Sequence, residues 1–397
     1  MSAERSRGEV SRTPVRRVDR RSALMGWLAL IVLVVGGAAA AAKSLFSVRV
    51  PHGIPIGLSV RSRDSVFTLV RTMEPYVPSL HHDSSTERFK VALFVQPISG
   101  KGDPRMIPIA KGLKPGELHF PSVLGQEGDV VWCSLHDLFG VNLKTGRMVR
   151  SADVRAANPG LPEMWNDSRL LNFVDRLTVV SQDRRRSYAI DPTTLRATEV
   201  SVKLQGPGTF LTVKPEHFLS AGAMLSDTAW LGLASKEEAS GNFDVGSTVK
   251  SVVTVNDRKV ARQPYRARLG PGYSASVRRI EAVEAVSQDS LVNGAFVCTG
   301  AGQAPIRLSG PDGFVAIGAA DTALGAKLVV VRMDSAGRVL WRRETELERY
   351  GLQQILPDDR VLGFVGPRPP VPGKVSEPLL VLVDLATGDV KNSTLWR

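Results

Sequence analysis

Twenty consecutive residues, Ala23 to Ala42, carry no charged side chain. A helix of that length is about 30 Å long, enough to cross the hydrocarbon layer of a bilayer. Just before it, Arg5, Arg7, Arg12, Arg16, Arg17, Arg20 and Arg21 face only Glu4, Glu9 and Asp19, so residues 1–22 carry +4 of the chain's +12. Trp27 sits near the start of the apolar run, where an indole favours the membrane interface. The twenty residues that follow bring only Lys43, Arg49 and Arg61 as cations. By the positive-inside rule, 1–22 is a basic cytoplasmic tail and 23–42 a single-pass signal-anchor helix. Residues 43–397 then lie beyond the cytoplasmic (inner) membrane, in the periplasm or outside. Ala40-Ala41-Ala42 also fits a small-residue cleavage site and Arg20-Arg21 a weak twin-arginine signal, so a cleaved leader stays open. Both versions export the rest of the chain.

Beyond Lys43 the pattern changes. Short β-branched runs recur between Pro- and Gly-rich turns: Val91–Val95, Asp129–Cys133, Leu177–Val180, Val249–Val255, Phe314–Gly318, Leu328–Val331, Val361–Val365 and Leu379–Asp384. They have strand length and strand composition, which predicts an all-β fold. Val66, Leu69, Val70 and Met73 fall instead at helical spacing, as do Ile280, Val283 and Val286, and predict two short inserted helices. Residues 156–168 read as an irregular connection.

Several strand pairs share one turn. Asn142-Leu-Lys-Thr-Gly146 and Asp384-Leu-Ala-Thr-Gly388 are close copies, and Asp191-Pro-Thr-Thr-Leu195 and Asp334-Ser-Ala-Gly337 looser ones. Asp or Asn opens such a hairpin by capping backbone amides, and Gly supplies positive φ where the chain reverses. Candidate turns at Gly102, Gly146, Leu195, Asp257, Gly302, Gly337 and Gly388 are 44, 49, 62, 45, 35 and 51 residues apart. A period of about 45 residues with several strands per unit predicts a β-propeller. Six or seven blades fit, and the count of turns favours seven. The expected layout is 43–59 as a connector or closing strand and 60–397 as the propeller domain.

The D-x-x-T-G turn followed by a Trp resembles the repeat of quinoprotein-type (PQQ-like) β-propellers. The likeness is degenerate: only Trp341, four residues after Gly337, holds the aromatic position, while Arg150 and Asn392 occupy it after Gly146 and Gly388. The whole layout is similar to an uncharacterised bacterial family of membrane-anchored propellers, a resemblance that implies no activity.

No candidate site is strong in one dimension. His81-His82-Asp83 is the only histidine cluster, but neighbours on an extended strand point to opposite faces, so it is a weak metal site. His136-Asp137 pairs an imidazole with a carboxylate without a nucleophile motif, which favours turn capping. Cys133 and Cys298 fall in strands half a ring apart and are expected as buried free thiols. Arg184-Arg185-Arg186 is a weak anion-binding candidate. Arg outnumbers Lys 37 to 14 throughout, so clustered arginines are a general habit of the chain. Asp358-Asp359 and Glu237-Glu238 read as solvated turn carboxylates. Aromatics are 6%, too few to interleave with basic residues as a nucleic-acid surface requires, and no cofactor motif occurs. The expectation is a non-catalytic protein- or ligand-binding module of the envelope, with a membrane contact through 23–42. The alternative is an extracytoplasmic enzyme, a quinoprotein-like oxidoreductase or a propeller hydrolase, with its site in the central channel.

Overall fold

A computed structural model describes residues 53–395 except 63, 75–86, 99–101, 119–120, 136, 162–170, 174, 182–184, 202–214, 241–259, 271–279, 300–303, 309–312 and 373–375. The basic tail with Arg16, Arg17, Arg20 and Arg21, the apolar run with Trp27, the cluster His81, His82 and Asp83, and the strand expected over 249–255 lie outside the described residues. No helix of the described residues is long and apolar enough to cross a membrane.

Strands dominate, in successive four-stranded antiparallel meanders. The first unit is β1 (Ile54–Arg61), β2 (Ser65–Met73), β3 (Phe89–Pro97) and β4 (Arg105–Leu113). The second is β5 (Ser122–Glu127), β6 (Val130–Ser134), β7 (Leu138–Asn142) and β8 (Met148–Arg150). The third is β9 (Leu171–Phe173), β10 (Leu177–Val180), β11 (Ser187–Ile190) and β12 (Ala197–Val200). A short β13 (Leu219–Ser220) leads into the fourth: β14 (Gly222–Ser226), β15 (Ala229–Ala234), β16 (Ala261–Leu269) and β17 (Ile280–Ala285). The fifth is β18 (Leu291–Val297), β20 (Gly313–Ala319), β21 (Lys327–Asp334) and β22 (Val339–Glu348), with β19 (Arg307–Leu308) beside β20. The sixth is β23 (Gln354–Leu356), β24 (Val361–Pro367), β25 (Pro378–Asp384) and β26 (Val390–Thr394). The fourth and fifth units merge into one ten-stranded sheet, because β18 also pairs with β13 and with the start of β16. Asn293 makes that switch of partner. It adopts φ +49 at the bulge in β18, and its side chain accepts the Val260 N–H at 3.0 Å.

The apolar runs of the sequence follow from how these sheets stack. A strand points alternate side chains to opposite faces, and here both faces meet a neighbouring sheet. In β2, Phe67 and Leu69 pack toward the second unit while Val66 and Val70 pack toward the sixth. In β6, Val131 and Cys133 turn to the first unit, Val130 and Trp132 to the third. Leu328 and Val330 of β21 join the sixth unit's core, and Val329 and Val331 the fourth's. In β25, Leu379, Val381 and Val383 face the fifth unit, and Leu380 and Leu382 face the first. Apolar clusters thus join unit one to two, two to three, four to five, five to six, and six back to one. Successive face-packed meanders whose last unit packs back on the first have the arrangement of a β-propeller.

Strand pairing corrects the two expected helices. Residues 66–73 are strand β2, and Ile280 to Ala285 are strand β17. With both faces of β2 buried, the period-two signal vanishes, and four apolar residues fall at helical spacing by coincidence. A short helix that the sequence pattern did not mark, α1 (Ser151–Ala157), runs just ahead of the irregular connection, with the Arg150 N–H donating to the Asp153 carboxylate at 2.8 Å.

The shared turn is real and its place is constant: it links the third and fourth strands of a unit. Asn142 Oδ1 accepts the Lys144 and Thr145 N–H groups at 3.0 and 2.9 Å, and Gly146 turns the chain at φ +69. Asp384 repeats this at 2.8 and 3.0 Å with Gly388 at φ +76. Asp191 does so at 2.9 and 2.6 Å, with Leu195 itself forced to φ 59. Asp257 and Gly302 lie outside the described residues and fall elsewhere in their units, between β15 and β16 and between β18 and β20. The fourth unit's third-to-fourth connection spans 270–279 instead.

The first and last units meet without exchanging a strand. Gln354 of β23 accepts the Ser59 N–H at 2.8 Å and donates to the Gly57 carbonyl at 2.6 Å. Arg61 pairs with Asp358 at 3.0 Å and also donates to the Val361 carbonyl. Residues 54–61 therefore belong to the first sheet, hydrogen-bonded to β2, and touch the last one only through side chains.

Candidate functional site

Most of the polar residues singled out in the sequence are used for structure. Asp137 caps the Leu138 N–H at 2.8 Å and accepts the Ser151 hydroxyl at 2.6 Å, which fixes β7 against α1; His136 lies outside the described residues. Cys133 and Cys298 are free and buried, in the second and fifth units. Burial pushes both thiols up, Cys298 to about 11 and Cys133 further, so neither is a thiolate nucleophile at neutral pH. Arg185 and Arg186 are exposed in the connection between β10 and β11, where Ser181 and Arg186 close the loop backbone to backbone at 2.8 Å. Arg184 lies outside the described residues. Among the described residues no three His, Cys, Asp or Glu side chains come together as a metal site.

Two carboxylates taken as solvated are not. Asp358 is the partner of Arg61 in the seam between first and last units. Glu238 opens helix α2 (Lys236–Ser240) in a reciprocal cap with Ser235 and forks with Arg262 at 2.9 and 3.1 Å. The Arg262 side chain is only 4% exposed. Burial alone would raise the Glu238 carboxyl, but the hydrogen bonds from Arg262 and Ser235 outweigh it and hold it below the ordinary carboxylate range.

Three cavities lined by described residues lie at the end of the meanders that carries the first-to-second and third-to-fourth turns. One, of about 220 Å³, lies over the seam, between Leu58 and Arg61 of β1 and Gln354 and Leu356 of β23, with Phe218 at its side. A second, of about 340 Å³, lies between the second and third units. Glu127 and Asp129 line it beside the turn residues Asn142, Arg147 and Thr193. The Glu127 carboxyl is pushed up by burial, against the opposing pull of the Leu177 N–H at 3.3 Å and of the Arg176 charge. A third, of about 300 Å³, lies between the fourth and fifth units, with Arg266, Arg307, Ser226 and Ser335 in its walls and Phe314 at its base. These contacts join residues from different units, so no linear motif could have marked them. The sequence signal that did exist was the turn beside each recess, while strand-end residues supply most of the lining of the first and third.

Fold and cavities together define a β-propeller with recesses between neighbouring units. No family model matches the chain, and no curated protein matches it. Among solved structures it is similar to an isopeptidase, AtxE2 in its apo form, at 9% identity and a TM-score of 0.40, covering 87% of this chain and 52% of that one. The chain thus spans about half the length of that relative. The β-propeller domain of the Trilobed protease from Pyrococcus furiosus is similar at 11% identity and a TM-score of 0.24, covering 88% and 85%. PorZ, a bacterial surface component of the type-IX secretion system of Porphyromonas gingivalis, is similar at 11% identity and a TM-score of 0.15, covering 85% and 54%. The propeller class rests on the strand pairing and on the packing of the last unit against the first.

Proposed function

We propose that this chain is a six-bladed propeller that serves as a binding module of the bacterial envelope, held at the outer side of the cytoplasmic membrane by residues 23–42. The observation that carries the binding role is the grouping of three inter-unit recesses at the turn-bearing end of the meanders. Turns vary freely on a rigid stack of sheets, so that end can acquire specificity without disturbing the core. Six third-to-fourth connections between described strands, at Gly102, Gly146, Leu195, 270–279, Gly337 and Gly388, support six blades over seven. Partners are an envelope protein or a small ligand; nothing in the charge distribution calls for nucleic acid. Chemical cross-linking of the full chain in intact envelopes tests this: a reproducible protein adduct is expected, and its absence in repeated trials contradicts the module.

One observation favours the enzymatic alternative. Glu127, with its raised carboxyl at the rim of the largest of the three recesses, has the environment of a general acid. If a hydrolytic activity is found, Glu127→Gln should abolish it; an activity indifferent to that change lies elsewhere.

A further inference from the structure

We infer that the recess between the fourth and fifth units is an anion site that takes a phosphomonoester on a small organic body. The inference rests on reading the turn-bearing end as a binding surface. Two guanidinium groups line this recess, Arg266 from β16 and Arg307 from β19. Neither forms an ion pair among the described residues: Glu284, the cross-strand neighbour of Arg266, makes none with it, and the nearby Glu281 is taken by Arg268 at 3.2 Å. Arg61, Arg262, Arg338 and Arg368, by contrast, each have a carboxylate partner. Two cations that line one recess favour an anion between them.

The remaining chemistry fits a tetrahedral oxyanion. Arg307 gives one N–H to the Met224 carbonyl and lays its guanidinium over the Phe314 ring, 6.0 Å from its centroid, which holds the group in place and leaves its other donors to the recess. Ser226 and Ser335 stand in the same walls, one at the end of β14 and one on the β21–β22 turn. Arginine forks and hydroxyls are the donors that phosphate oxygens accept. Phe314 and Leu225 supply an apolar floor for the organic part, and about 300 Å³ is the size of a small-molecule site. The phosphomonoester is either a free solute or a lipid headgroup, and the same recess would read both.

The test uses the full chain in detergent micelles, titrated at constant ionic strength with glycerol phosphate and, separately, with vesicles containing phosphatidic acid against neutral vesicles. Saturable binding of at least one probe is expected, weakened about tenfold or more by Arg266→Gln, since a charge-assisted bond is lost. Arg307→Gln also removes the bond to Met224, so Arg266→Gln carries the test. The Arg185→Gln/Arg186→Gln protein controls for net charge and should bind like the parent. Binding to glycerol phosphate assigns a solute, and binding to vesicles alone assigns a headgroup. No saturable binding to either probe overturns the inference, as does an equal loss in the Arg266 and Arg185/Arg186 variants. If envelope cross-links persist in that event, only the anion site falls; if they too are missing, the binding surface falls with it.

Discussion

Replacing Gln354 by Leu keeps the side-chain volume and removes both hydrogen bonds that tie β23 to β1. The Ser59 N–H, on a residue only 7% exposed, then has no acceptor, and an orphaned buried donor costs about 1–3 kcal/mol. The Gly57 carbonyl is on an exposed residue and reaches water, so losing its bond costs about 0.5–1.5 kcal/mol. Leu buries a little more apolar area against Leu58 and Ile355, which returns up to about 1 kcal/mol. The balance is a loss of about 0.5–4.5 kcal/mol. Urea unfolding of the full chain reads the total, and hydrogen exchange of the Ser59 amide reads the place. Gln126→Leu is the control, because Gln126 donates only to the Gly128 carbonyl in an exposed turn and should cost less than about 0.5 kcal/mol. A Gln354→Leu protein as stable as that control, with Ser59 exchanging as slowly as in the parent, refutes the seam.

Other outcomes follow from the same contacts. Glu238→Gln should cost about 3 kcal/mol at pH 7, because it leaves the Arg262 guanidinium buried without its carboxylate. The folded-state carboxyl is depressed, so its contribution is complete above the unfolded carboxylate pKa of about 4.3 and is lost as pH falls through the folded value. Urea midpoints of parent and variant should therefore converge at acid pH; a constant gap contradicts the pairing. Native protein at pH 8 should resist iodoacetamide and take up two labels only after unfolding, because both thiols are buried, free and pushed up. Gly146→Ala meets no atom within 4 Å yet should cost about 1 kcal/mol in unfolding free energy, through its φ of +69 alone. Mass analysis of the membrane fraction should show residues 1–42 retained; a product shortened by 42 residues contradicts the anchor.

What the sequence made legible was whatever depends on neighbouring residues. The Asn142, Asp191 and Asp384 turns are decided by one side chain capping the amides two and three residues on, so their form and their hairpins could be read directly. The phase of the repeat could not, because Asp257 and Gly302 look like turns without joining third and fourth strands. Strand β2 imitated a helix because its two faces belong to two different cores. Asp358 and Glu238 looked solvated because Arg61 stands nearly three hundred residues from one, and Arg262 stands 24 residues from the other across an uninformative segment. Separation in sequence likewise hid that Arg266 and Arg307 line one recess, while Arg185 and Arg186 of the conspicuous arginine run are exposed loop positions. Trp132 shows the limit from the other side. Its indole covers the cross-strand Gly140, where a Cβ would come within 2.6 Å of the ring, a fit that only the register reveals.

The role of the turn-bearing end is tested most directly by photo-cross-linkers placed one at a time in the full chain and irradiated in intact envelopes. Thr193 and Ser226 report on the recesses, whereas Arg185 and Leu324 report on the opposite connections, between second and third strands. Adducts at Thr193 or Ser226 and none at Arg185 or Leu324 are the predicted result; adducts confined to Arg185 and Leu324 would contradict it.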